Sequence, residues 1–278
     1  MRSRLFYRLA NASPLVQGLC VLVVLLLVLG VFEADTYLFG GKSHPKAPPV
    51  AASPTPTPSA SDSPAPLPTA SPTSVPIPVS STVATAADFL TAYVSPSTKA
   101  KSVGTVDPHN LIGQLTPMLV VTSQPGWSQV ILPDHLPNDT MGWVPDSAIQ
   151  TTTVSTFILV NLAKYQLEFY DSGKLMKTYP VAIGASNTQT PQGMFFVWAI
   201  QPDPGAPYNP VIFGLSALSP FVSNWPDGGI VGIHGWSDTS VEGKAVSNGC
   251  IRMKPTDASA LLATNLPLGT PVDVVASA

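Results

Sequence analysis

Apolar positions along this chain come in three textures. Leu15–Phe32 is eighteen residues without a charge, close to the roughly 20 that a membrane-spanning helix needs. From residue 33 to 82 the apolar positions lose any period, and Pro, Ser, Thr and Ala alternate, as in P-T-P-T-P-S-A-S. Beyond residue 82, short runs rich in β-branched and aromatic residues recur between turn signals. That is the pattern of strands, not of helices.

These textures predict five parts. Residues 1–14 form a basic cytoplasmic N-terminus and 15–32 a transmembrane anchor. Arg2, Arg4 and Arg8 before the anchor and Glu33 and Asp35 after it place the remainder outside the cytoplasmic membrane. A cleaved signal peptide is the competing reading, but the run is long for one and no small-residue cleavage site follows it cleanly. Residues 33–82 are a linker too poor in apolar side chains to build a core and are predicted to be disordered. The stretch from Gly41 to about Thr82, about forty residues at ~3.1 Å each in polyproline-like extension, reaches on the order of 100 Å.

Residues 83–151 carry the runs L-I-G-Q-L-T-P-M-L-V-V-T-S, Q-P-G-W-S-Q-V-I-L-P and M-G-W-V-P-D-S-A-I. They read as three strands with loops, a small all-β barrel. Trp127 and Trp143 are either a ligand platform or partly buried core, while His109 and His135 read as loop residues without a role. Residues 152–278 read as antiparallel hairpins, with one or two short helices. One of these opens near Pro255 and is capped by Thr256 or Asp257. A closing strand follows Gly269. The fold class is therefore mostly β: a small barrel, then a β-rich domain, behind an anchor and a linker.

Charge changes the picture little. A formal net charge of −3 offers no electrostatic footprint for nucleic acid. Cysteine changes it more. Cys20 lies inside the apolar N-terminal run, so Cys250 is the one thiol in the exported part and has no internal disulfide partner. His234, in I-V-G-I-H-G, precedes Cys250, in V-S-N-G-C-I-R-M, by sixteen positions. Both follow apolar strand-like runs, and both are framed by glycine. A thiol, a base and backbone N–H groups for an oxyanion are what nucleophilic catalysis requires. One histidine and one cysteine fall short of a zinc ligand set, so no metal and no cofactor are expected.

The order of I-L-V-N-L, Y-P-V-A-I-G, T-P-Q-G, G-I-V-G-I-H-G, V-S-N-G-C-I-R-M and L-G-T-P-V-D-V resembles the L,D-transpeptidase (YkuD-like) catalytic domain, from about Phe157 to Val275. W-S-Q-V-I-L-P followed by G-W-V-P resembles bacterial Src-homology-3-like domains. The first resemblance implies that Cys250 is the nucleophile and His234 its base. It also implies an oxyanion hole from the amides of Gly249 and Cys250, with Asn248 in support. The ring would be oriented by the Gly235 carbonyl, with the Ser247 hydroxyl assisting. Where the family often has a histidine, this chain has Asn248, which leaves His234 as the base. Arg252 is implied to position a substrate carboxylate or order the site, against a plain surface ion pair. Asp238 is an alternative orienter of the ring, and Tyr208, Phe213 and Trp225 are candidates to line the groove.

The implied reaction is attack of a thiolate, held as an ion pair with imidazolium, on a peptidoglycan tetrapeptide stem. D-Alanine leaves, and the acyl group passes to an amine of a neighbouring stem. Two alternatives stay open. Water resolves the same acyl-enzyme, giving an L,D-carboxypeptidase, or the chain is a membrane-tethered wall-binding protein without activity.

Overall fold

The computed structural model describes residues 75–222 and 229–278. The expected anchor, most of the linker and Trp225 lie outside these residues; among the described residues no helix is long and apolar enough to cross a membrane.

The first layer is a seven-stranded antiparallel sheet. Its strands are β1 (Ser81–Thr85), β2 (Leu90–Tyr93), β3 (Ser102–Val106), β4 (Met118–Gln124), β5 (Trp127–Ile131), β6 (Met141–Pro145) and β7 (Gln150–Val154). They are ordered β3-β2-β6-β5-β4-β1-β7. More strands form here than the apolar runs announce, because β3 (S-V-G-T-V) and β7 (Q-T-T-T-V) are mostly polar and bury one end only. Inward residues such as Ala92, Met118, Val130 and Val144 make its core. Trp127 and Trp143 are half-buried, and Trp127 meets Tyr93 edge-on at 6.1 Å.

Ser155 alone separates β7 from the second layer. That layer comprises β8 (Thr156–Asn161), β9 (Gln166–Asp171), β10 (Lys174–Pro180), β12 (Gly193–Pro202), β13 (Val211–Leu218), β14 (Ile230–Gly235), β16 (Ile251–Met253) and β17 (Pro271–Val275). Its order is β10-β9-β8-β17-β12-β13-β14-β16, antiparallel except where β17 meets β8 and β14 meets β16. The short strands β11 (Ile183–Gly184) and β15 (Ala245–Ser247) pair in parallel beside it. The chain leaving β10 crosses to the far end, where Ala182 donates to and accepts from the backbone of Arg252, at 2.9 and 2.8 Å. The sheet is thereby nearly closed around a core of Ile158, Phe195, Phe213, Leu215, Ile233 and Ile251 among others.

A single α-helix is present among the described residues, α1 (Pro255–Leu262). It begins earlier than its apolar residues suggest. Lys254 is the N-cap and Pro255 takes the first turn, where its missing N–H costs nothing; neither Thr256 nor Asp257 caps it. Ala258 and Leu261 turn inward, against the sheet that carries the site.

Candidate active site

Two parallel strands set the site. Ile233 of β14 stands opposite Ile251 of β16, and His234 opposite Arg252. Side chains alternate along a strand, so Ile233 and Ile251 share one face, where both are fully buried. His234 and Arg252 share the other face with Gly232 and Cys250, two positions earlier on each strand. The row continues sideways: Gly232 pairs with Gly214, and Gly214 with Ala199 of β12. Ala199, Gly214, Gly232 and Cys250 thus make a row of small side chains across four strands, and the sheet face is hollow along it. The neighbouring row, with Gln201, Ile212 and His234, rises as one bank. The resulting groove has a cavity of about 280 Å³, lined by both His234 and Cys250.

His234 is fixed from its own strand end. Nδ1 lies 2.8 Å from the Gly235 carbonyl, which only accepts, so Nδ1 carries the proton and Nε2 is free to receive one. Gly235 is a glycine because a Cβ there would lie 1.9 Å from the Asn209 carbonyl oxygen. That close approach lets the 203–210 loop lay Tyr208 edge-on to the imidazole, centroids 5.1 Å apart. Burial drives the ring's pKa down to about 4; the Gly235 carbonyl opposes this, and the Arg252 cation adds to it. Burial likewise pushes the Cys250 thiol up, against the opposing pull of the Gly232 amide and Arg252. Burial thus acts against charge on both groups that line the groove. A water-poor groove disfavours the imidazolium and the thiolate alike, which opposes the expected thiolate–imidazolium pair at rest.

The turn that carries Cys250 is tied on both sides. The Ser247 hydroxyl donates to the Cys250 carbonyl at 2.6 Å and accepts from the Gly249 amide at 3.1 Å. Ser247 therefore shapes the Cys250 turn and does not support the ring. The same contact occupies the Gly249 amide, one of the two expected to hold an oxyanion. From the T-P-Q-G segment, Thr190 Oγ donates to the Gly249 carbonyl and accepts from the Gly184 amide, each at 2.9 Å. Thr188 Oγ donates to the Ser247 carbonyl at 2.8 Å. Gly249 has φ +114°, whereas a Cβ there would meet nothing nearer than 3.7 Å, so the backbone conformation requires the glycine.

Other expected residues fall in several places. Asn248 is exposed and lines a second, smaller cavity with Ser219 and Cys250. Arg252 makes no surface ion pair among the described residues: its guanidinium stacks 3.7 Å over the Trp236 ring, and its Nε is buried without a partner. Asp238 accepts from the Ser240 amide at 3.0 Å and caps a one-turn 3-10 helix, away from His234. Tyr208 lines the groove, whereas Phe213 points into the opposite core, completely buried.

Residues 155–274 match the YkuD family, described as an L,D-transpeptidase catalytic domain. The YkuD protein of Bacillus licheniformis is 39% identical over 122 residues, covering 44% of this chain and 67% of that protein. The YqjB protein of Bacillus subtilis is 34% identical over 125 residues, covering 42% and 69%. The chain belongs to the YkuD family of L,D-transpeptidase catalytic domains. Among solved structures, the E. faecium L,D-transpeptidase catalytic domain acylated by ertapenem is 26% identical, covers 43% of this chain and 96% of its own, and has a TM-score of 0.34. The family match includes His234 and Cys250 and excludes the first sheet.

Sequence reading gave no role to Gly232, Thr188, Thr190 or Trp236. The T-P-Q-G motif was the one available signal, for Thr190. Leu111 and Ile112 line the groove as well, from a domain whose sequence carries no catalytic motif.

Proposed function

We propose that this chain is a cysteine-dependent L,D-transpeptidase acting on peptidoglycan stem peptides, held outside the cytoplasmic membrane by its basic and apolar N-terminal segment, with the first sheet as a Src-homology-3-like module. The observation that carries this reading is the groove itself: Cys250 and His234 line one cleft, and the Gly235 carbonyl turns the unprotonated Nε2 toward use as a base.

The sulfur bonds to the carbonyl carbon of the residue before a terminal D-alanine as its proton moves to Nε2. Burial disfavours both the thiolate and the imidazolium, which favours proton transfer in step with attack. The Cys250 amide holds the oxyanion, since the Gly249 amide is already engaged. Collapse breaks the C–N bond, and the imidazolium gives its proton to the departing amine, leaving a thioester. A diamino acid's side-chain amine then bonds to the same carbon, the C–S bond breaks, and the proton released by the amine returns through His234 to the sulfur. Arg252, stacked on Trp236, keeps a cation at the mouth, suited to the carboxylate of the leaving D-alanine.

The test is incubation of the full chain with a tetrapeptide donor and a diamino acceptor, read by mass spectrometry. A thioester adduct and a cross-linked dimer are expected, both absent in Cys250→Ala. Cys250→Ser should lose nearly all turnover, because one imidazole activates a hydroxyl poorly. Tripeptide without dimer would assign water as the acceptor. No adduct with peptide or with ertapenem would overturn the enzymatic reading.

A further inference from the structure

The groove continues past the domain that carries its chemistry. Between β3 and β4, residues Asn110–Gln114 form a tight turn closed by backbone bonds from Asn110 N to Gln114 O and from Gly113 N to Asn110 O, at 2.8 and 3.0 Å. Two polar side chains clamp this turn to the outer edge of β12. Gln114 donates to the Ile200 carbonyl at 2.9 Å and accepts from the Ile200 amide at 3.0 Å, replacing an absent neighbouring strand. Asn110 donates to the Trp198 carbonyl at 2.9 Å. So held, the turn presents Leu111 and Ile112 to the same cavity as Cys250. Both remain largely in solvent, Leu111 65% and Ile112 45% exposed. A rigid turn that leaves two adjacent large apolar side chains wet at the end of a reaction groove is a surface waiting for a ligand.

Distance and chemistry identify the ligand's part. From Cys250 to β12 the groove crosses three strand spacings, about 14 Å at about 4.8 Å each. At about 3.3 Å per extended residue, a three-residue acyl part covers about 10 Å of that, and Leu111 and Ile112, which line the same cavity, meet its far end. A cavity of about 280 Å³ lies just below the usual range for ligand pockets, roughly 300–1,000 Å³. A space of that size suits a short peptide segment. No charged residue lines it among the described residues, and Leu111, Ile112, Trp198, Ile212 and Ile230 dominate its walls. The second cavity that Cys250 lines is far smaller. The longer acyl part of a donor, which stays bound through both chemical steps, therefore belongs in the large one.

Resting on the transpeptidase reading above, we propose that the first sheet supplies the far wall of the donor groove. Leu111 and Ile112 hold the apolar N-terminal residue of the stem peptide, two positions before the residue whose carbonyl is attacked. The turn is a specificity element: it reads the length of the donor, and binding energy gained there is used at the thiol.

The experiment uses the full chain and three synthetic N-acetylated donors that carry none, one or two residues ahead of the attacked residue, each ending in D-alanine. kcat/KM is measured from D-alanine release. In the unaltered protein, completing the donor with its first residue should raise kcat/KM by about tenfold, the scale of one small apolar contact. In Leu111→Ser/Ile112→Ser, that last gain should shrink below about twofold, while the ranking of the two shorter donors is kept. A far-wall residue that is merely structural would lower all three donors together and keep the tenfold gain; that result, or an unaltered protein indifferent to donor length, would overturn the proposal and leave the transpeptidase reading standing. If the unaltered protein releases D-alanine from no donor, the transpeptidase reading falls and this proposal with it. Comparable melting temperatures for variant and parent show that any loss of selectivity is not a loss of fold.

Discussion

His234 is the residue on which acidity acts first. Its folded-state pKa of about 4 lies below the ordinary 6.5 because the ring is buried. Acylation should hold level as pH falls from 7 toward 5 and be half lost near 4; a midpoint at 6.5 would show a solvated ring. Between those two values the unfolded chain binds a proton that the folded chain refuses, so stability falls as pH is lowered through that window. The contribution is on the order of 3 kcal/mol, and His234→Gln should flatten that part of the pH–stability curve while slowing acylation about 10²–10⁴-fold. Gly249 is the other sensitive position. Gly249→Ala forces a side chain onto φ +114° and should cost about 1–3 kcal/mol in urea unfolding, with a larger loss of acylation, since the strained turn carries the sulfur.

Among the elements, the edge of β12 is the one completed by another domain. Gln114→Ala leaves the Ile200 N–H and C=O without their partner and should destabilise the chain by about 1–3 kcal/mol in denaturant melts. It should also increase hydrogen exchange at Ile200 and its neighbours. Sequence patterns show why this element was hidden. His234 and Cys250 were legible because each is rare in the chain and framed by glycine, and the hairpins of 152–278 because their apolar runs are continuous. The clamp joins residues 86 to 88 positions apart through ordinary amide side chains, which mark no motif. Polar β3 and β7 were likewise illegible, since each buries only its last residue and has no clear alternation. Residue types alone point to an ion pair at the thiol; burial, which no residue type reports, acts against both of its charges.

At the scale of the whole molecule, the two layers share apolar surface. Leu119 and Ile131 of the first sheet pack on Phe196 and Trp198 of the second, all four nearly or fully buried. Asn138 adds two 2.9 Å bonds to the backbone of Leu218. Residues 152–278 expressed alone should therefore melt at lower temperature than residues 75–278 and bind an apolar dye such as ANS; equal melting temperatures would show that the second layer stands by itself.

β16, three residues long, is gripped by β14 along one side and by Ala182 along the other, and the sulfur sits at its entrance. A strand hemmed in so tightly has little travel. If the proposed reaction runs here, the carbonyl must come to the thiol, so turnover should track how well a peptide is seated, and inhibitors that mimic a fully settled donor should outperform those that rely on the protein to adjust.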